Sequence, residues 1–274
     1  MVRAVSRGEG AALLAALLLA PACTGTTGYA LVSFYASARG ASDAVKGQPY
    51  TFSSGSARVT LTRAVLHVGA LYLTQAVPTS GGGPAPCTLP GTYDGVFVGE
   101  VRGGGDVDLL DPSPQGLTVT GDGSTLPAAT GQVWLMHGDV DAPSDPLPVL
   151  TLEGSVTSGG RTQTFAGSIT IDSGRQPAPT NTSLPGSSPI CTLRIVSGIP
   201  AHLTLAQGGT LVLRLDPRAL FNDVPLVDLP ACPGGQPAAL CFTNDESNQS
   251  SRNLFQNLTA AGPLYRFDWV APAP

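Results

Sequence analysis

The residues best suited to chemistry in this chain are three histidines, His67, His137 and His202, and the groups around the second of them. His137 follows Met136, the one methionine besides the initiator, and precedes Asp139, Asp141 and Asp145 in a stretch with Gly138 and Pro143. Imidazole suits copper or zinc, a thioether suits cuprous ion and carboxylates suit calcium. The run Met136-His137-x-Asp139-x-Asp141 therefore mixes donors without matching one metal's motif. As a calcium loop it lacks the glycine and closing glutamate of an EF-hand. If residues 131–137 form an alternating strand, Met136 and His137 point to opposite faces and need a twist or bulge to share an ion. His67 stands in an apolar stretch, where a core or edge role is expected, and His202 on the polar side of an alternating strand, where solvation is expected. The default expectation is no cofactor. The alternative is copper or another transition metal on His137, Met136, His67 and His202.

Cys23 aside, the cysteines are Cys87, Cys191, Cys232 and Cys241. An even set in an exported chain implies disulfides, because that compartment is oxidising. Three pairings are possible. Cys232 and Cys241 enclose a Pro/Gly-rich segment that closes easily, which leaves Cys87 with Cys191 to tie two long loops together. Zinc ligation would want tighter C-x-x-C pairs. No nucleophile elbow, H-E-x-x-H motif or P-loop occurs. Glu100, Asp106, Asp108, Asp111, Asp122 and Glu153 form no pair whose spacing suggests acid–base work. The chain is expected not to be an enzyme.

One C-terminal stretch carries a resemblance. Leu211-Val212-Leu213-Arg214-Leu215-Asp216-Pro217-Arg218-Ala219-Leu220-Phe221, then Cys232 and Cys241, then Leu254-Phe255, resembles the periplasmic four-cysteine proteins associated with methanobactin gene clusters, the metallo-mystery pair family. The likeness covers roughly 60 of the 274 residues. It implies a β-sandwich, and in that family copper binding beside a dihaem partner. That family's first two cysteines lie close together, whereas Cys87 and Cys191 are far apart, and its Asn-His and His-Leu-Gly segments have no counterpart here.

The elements that must position these groups read as strands. Of 274 residues, 42% are apolar and only 12% charged, about half the usual charged share. With 34 Gly and 25 Pro, the composition favours strands joined by turns over charged amphipathic helices. Strand patterns fall at residues 30–36, 57–73 (one long strand or two short ones), 95–101, 115–120, 131–137, 149–156, 162–171, 192–196, 201–205 and 210–215, with a closing strand at Phe267 and Trp269. Gly121-Asp122-Gly123 and Ser158-Gly159-Gly160 read as turns, and Gly208-Gly209 as a hairpin turn. One helix is expected at 247–258, capped by Ser247, with Leu254, Phe255 and Leu258 on one face. The predicted fold is a mainly β, antiparallel sandwich (jelly-roll or immunoglobulin-like) with one short C-terminal helix.

Residues 1–22 read as a signal peptide: Arg3 and Arg7 precede an apolar run from Ala11 to Ala20, too short for a hydrocarbon core about 30 Å thick. Leu19-Ala20-Pro21-Ala22-Cys23 resembles a bacterial lipobox, which implies lipidation of Cys23. Thr24 in place of Asp implies outer-membrane sorting. Ordinary cleavage after Ala22 would instead release a periplasmic protein. Residues 23–29 are expected to be a flexible tether and 30–274 a single β domain. With a net charge of −5 and one lysine, Lys46, no basic stripe exists for nucleic acid. The expected function is a non-catalytic, exported, lipid-anchored envelope protein that binds a ligand or envelope partner through loops 77–95 and 173–191. The alternative is a periplasmic copper or other transition-metal protein.

Overall fold

The computed structural model describes residues 29–75, 97–117, 119–140, 142, 144–175, 190–234, 238–244 and 247–272. The expected signal peptide, Cys23, Cys87 and most of the two long loops lie outside the described residues. In chain order the elements are β1 (Leu31–Arg39), β2 (Tyr50–Ser54), β3 (Ala57–Val68), β4 (Ala70–Thr74), β5 (Phe97–Val101), β6 (Gly105–Asp108), β7 (Gln115–Gly116), β8 (Gly121–Ser124), β9 (Pro127–Trp134), β10 (Leu150–Ser158), β11 (Arg161–Ile169), α1 (Ile190–Arg194), β12 (Ile195–Thr204), β13 (Thr210–Leu215), β14 (Leu240–Phe242), α2 (Gln249–Thr259) and β15 (Tyr265–Val270). No helix among the described residues is long and apolar enough to cross a membrane.

The strands form two mixed sheets. One has the order β12-β9-β4-β5-β8-β1-β13-β15, with β7 added to β1; the other runs β14-β11-β10-β3-β2, with β6 added to β3. The fold is mainly β, but it corrects the expected antiparallel sandwich in two respects. β1 runs parallel to β13 and β11 parallel to β14. The larger sheet also curls until its end strands, β12 and β15, lie alongside each other, nearly closing a barrel. Alternation of buried and exposed residues is the same whichever way a neighbour runs, so the pattern could not reveal these directions. One continuous core takes side chains from both sheets, among them Phe34, Leu61, Leu66, Leu71, Phe165 and Leu213.

Local corrections have steric causes. Gly121 and Gly123 make no turn; they lie in β8, where a Cβ on Gly121 would stand 2.4 Å from the Phe34 ring and one on Gly123 2.6 Å from Leu205. Gly208 and Gly209 do not join a hairpin, because β12 pairs with β9 and β13 with β1 and β15. Gly208 N–H instead donates to Ser33 and Tyr35 N–H to Gly209. Residues 192–194, expected to begin a strand, belong to α1, and the strand begins at Ile195. α2 is capped by Asn248, whose side chain accepts from Ser251 N at 2.9 Å, and not by Ser247. Leu254, Phe255 and Leu258 are buried.

Outside the core, Lys46 Nζ donates to Asp111 Oδ2 at 2.6 Å, and Ser113 N–H donates to Asp111 Oδ1 at 2.9 Å. The Lys46 ammonium, followed by the Ser113 donors, lowers the Asp111 carboxyl from an ordinary 3.8 to about 2. Because the folded value is depressed, the stabilisation is complete above the ordinary carboxylate range and disappears as pH falls through about 2. In urea titrations the midpoint is expected to drop between pH 4 and pH 2, and to drop less in Lys46→Met. Equal drops in the two proteins would show that this pair is not the cause.

Candidate metal centre

Three connections that cross from one sheet to the other meet at one corner of the fold, and each brings one polar side chain to the same place. The first lies between β3 and β4. There Gly69 N–H donates to Trp134 O at 2.7 Å, and a Cβ on Gly69 would stand 2.2 Å from Met136 O, so only glycine lets the chain turn so close to the next crossing. Two residues earlier, near the end of β3, sits His67. The second crossing lies between β5 and β6, where a Cβ on Gly104 would stand 1.4 Å from Val68 O. It delivers Asp106, which lies directly opposite His67 in the β3–β6 pairing. The third is the segment from Leu135 to Val149 between β9 and β10, which carries His137.

His67, Asp106 and His137 each offer one ligand atom, and these atoms all lie within 4.8 Å of one another. Bonds of about 2.0–2.2 Å from a zinc-like ion to nitrogen or oxygen would hold such atoms about 3–4 Å apart, so small side-chain rotations close the gap. The two imidazoles stack with centroids 3.7 Å apart and planes 21° from parallel. Each also has its own carboxylate. His67 Nδ1 lies 2.7 Å from Asp106 Oδ1, and His137 Nδ1 lies 3.4 Å from Asp145. Asp106 belongs to the ligand set itself, whereas Asp145 stands outside it; an ionised carboxylate only accepts, so Asp145 places the proton of His137 on Nδ1 and leaves Nε2 as that ring's ligand atom, as outer carboxylates do in metal-bound histidines.

Asp145 also fixes the turn, accepting from His137 N–H at 2.9 Å and Leu147 N–H at 3.4 Å. Burial opposes its ionisation, but the His137 N–H, the His137 ring and the Leu147 N–H outweigh it and hold its carboxyl below the usual range. The side chains of His67 and His137 are mostly buried, at 16% and 20% exposure, while Asp106 is 70% exposed. A cleft of about 420 Å³ opens beside the two imidazoles, lined also by Gly69, Tyr72, Arg102, Gly103, Gly104, Met136 and Gly138.

Of the sequence candidates, His67, His137 and Met136 meet at this cleft. The alternation that was expected to separate Met136 from His137 does not reach them, because β9 ends at Trp134. His202 is elsewhere. It lies near the far end of β12, where Leu203 faces Ala128 while Ile195 faces Trp134, with a positive φ of 42°. There it lines a groove with Tyr265 and Trp269. Asp106 was missed; its one sequence signal is the short alternation Asp106-Val107-Asp108 after three glycines.

Beneath the cleft Tyr72 packs on Trp134 at 4.6 Å and on Phe97 at 5.6 Å. Cys191 is fully buried in the same small cluster and is disulfide-bonded, with Cys87 outside the described residues. Cys232 is bonded to Cys241.

No protein-family model matches the chain, and no curated protein matches it. Among solved structures it has a weak similarity to MbnP from Methylosinus trichosporium, 11% identical over 89% of this chain and 99% of that one, with a TM-score of 0.35. A likeness this slight assigns neither fold nor function, so any functional reading rests on the site itself.

Proposed function

We propose that this chain is a non-catalytic envelope protein that binds one transition-metal ion through His67, Asp106 and His137. The observation that carries the reading is the convergence of two imidazoles and a carboxylate from three separate sheet crossings, their ligand atoms within 4.8 Å. Imidazole and carboxylate donors suit zinc and cupric ion, and the Met136 thioether beside the same cleft adds a soft donor suited to cuprous ion. Copper, through its two oxidation states, is the metal suited to every donor type at the cleft. The signal-like residues 1–22 and the lipobox-like Cys23 support export and lipid attachment. The absence of a hydrolytic or phosphate-binding motif from the sequence supports a binding role.

Metal analysis of full-length protein recovered from the envelope, followed by titration with Cu(II), Cu(I) and Zn(II), tests the reading. One ion per chain is expected. Asp145→Asn is expected to weaken binding about tenfold, at the lower edge of the 10–100-fold typical of outer carboxylates, and His67→Ala or His137→Ala by about 100-fold or more. A stoichiometry near zero in the wild type would overturn the proposal. Unchanged affinity in both histidine variants would move the site elsewhere.

A further inference from the structure

The cleft is built for more than a bare ion. Three protein ligands leave at least one coordination position open, since four is the minimum for zinc-like ions. The cleft beside the two imidazoles is sparsely furnished: of the ten residues that line it, Gly69, Gly103, Gly104 and Gly138 carry no side chain. Its volume of about 420 Å³ is many times the about 30 Å³ share of a single water. Two polar side chains remain on the lining besides the metal-facing set, Arg102 and Tyr72. Arg102 is on the rim, 74% exposed, and holds Glu100 through Nη2. A guanidinium has five donors in a planar fork shaped for a carboxylate, so one Glu100 contact does not exhaust it. Burial, and then the nearby Glu100 charge, raise the Tyr72 phenol above its ordinary range, which keeps its hydroxyl proton as a donor.

We propose that the metal at this site carries a small carboxylate as its remaining ligand, one oxygen on the ion and the other end held by the Arg102 guanidinium. The inference rests on the metal reading above. A dication and a guanidinium lining one cleft repel each other, and an anion placed between them turns that repulsion into two attractions. Glu100 does not fill this role: its carboxylate is already engaged by the Arg102 guanidinium, and it is not in the cluster of His67, Asp106 and His137. The ligand must therefore come from solution, and the protein binds a metal–carboxylate complex more tightly than the ion alone.

Acetate is a suitable probe, because it is too weak a chelator to strip the metal from the protein. The full chain is loaded with one equivalent of Cu(II), and acetate is titrated at constant ionic strength, with perchlorate as the non-coordinating control anion, while the copper visible absorption and electron paramagnetic resonance spectra are followed. A saturable spectral change with acetate is expected in the wild type, with none for perchlorate. In Arg102→Gln the acetate affinity is expected to fall about tenfold, the size of a lost charge-assisted hydrogen-bond pair, and Arg102→Lys is expected to restore part of it. If the protein loads with copper but its spectrum ignores acetate, or if acetate binds wild type and Arg102→Gln equally, this inference is overturned and the metal reading stands. If no copper loads, the metal reading fails and the inference with it.

Discussion

Replacing Arg194 by Met is expected to destabilise the fold by about 3–5 kcal/mol, the cost of removing one member of a buried charged network. Arg194 ends α1 and is wholly buried. Its Nε and Nη2 donate to Ile171 O at 3.0 and 2.7 Å, and its Nη1 donates to Val140 O at 2.9 Å, Ala142 O at 2.7 Å and Asp139 O at 3.3 Å. One guanidinium thus satisfies carbonyls on two chain segments that have no ladder with each other. Methionine keeps much of the apolar stem and opens little cavity, so the loss isolates the hydrogen bonds. Each buried carbonyl left without a donor costs about 1–3 kcal/mol. Lysine keeps the charge but is a single point, and it cannot reach carbonyls on both sides at once. In thermal melts of a domain this size, such a loss lowers Tm by about 10 °C. A change below about 1 kcal/mol in Arg194→Met would show that the network is replaced by water. The consequence reaches the candidate metal centre, because the residues Arg194 holds, Asp139, Val140 and Ala142, lie between His137 and Asp145. A loosened turn is expected to weaken metal binding even though Arg194 touches no ligand.

Much of the strand content could be read from the chain, because alternation is a local property. Residues 149–156, 162–171 and 210–215 alternate or run apolar, and residues 150–156, 162–169 and 210–215 of them lie in strands. What alternation cannot carry is which strand lies beside which. β1 and β13 are far apart in the chain, and nothing in either marks them as parallel neighbours. The short α1 escaped for a related reason: residues 192–194 read as the start of the strand at 192–196, and tertiary burial decides otherwise.

The same divide separates the parts of the site. His67 and His137 were visible as residue types, but their stacking depends on three sheet crossings whose geometry is set by Gly69 and Gly104 through backbone contacts. Asp106 reaches His67 only through a pairing of four-residue β6 with β3, too short a strand to stand out by pattern. Arg194 gave no sign at all, since a lone arginine beside an apolar run reads as a surface residue.

The residues that carry the family resemblance turn out to serve the scaffold, which leads to the second large expected effect. Asp216 caps the 3-10 turn Pro217–Phe221, accepting from Arg218 N–H. Phe221 at its end is wholly buried, its ring 5.5 Å from Phe52 of β2, 6.0 Å from Phe165 of β11 and 6.5 Å from Phe242 of β14. It therefore plugs the core side of the smaller sheet across three of its strands. The turn is held from both sides: Ser54 Oγ donates to Phe221 O at 2.8 Å, and Asn257 of α2 donates to Leu220 O and Asn222 O at 3.1 and 2.7 Å. With the backbone pinned in this way, the site cannot collapse to fill a void. Phe221→Ala is accordingly expected to cost about 3–5 kcal/mol, toward the top of the range for large-to-small core changes. Phe221→Leu, which retains most of the volume, should cost about 1.5 kcal/mol or less. Equilibrium urea unfolding of both variants with an unchanged slope would give these differences directly. Because the ring partners of Phe221 do not line the metal cleft, copper affinity measured on folded Phe221→Leu should match the wild type. Equal losses for the two variants would mean that edge-on ring contacts, and not filled volume, hold the smaller sheet to its cover.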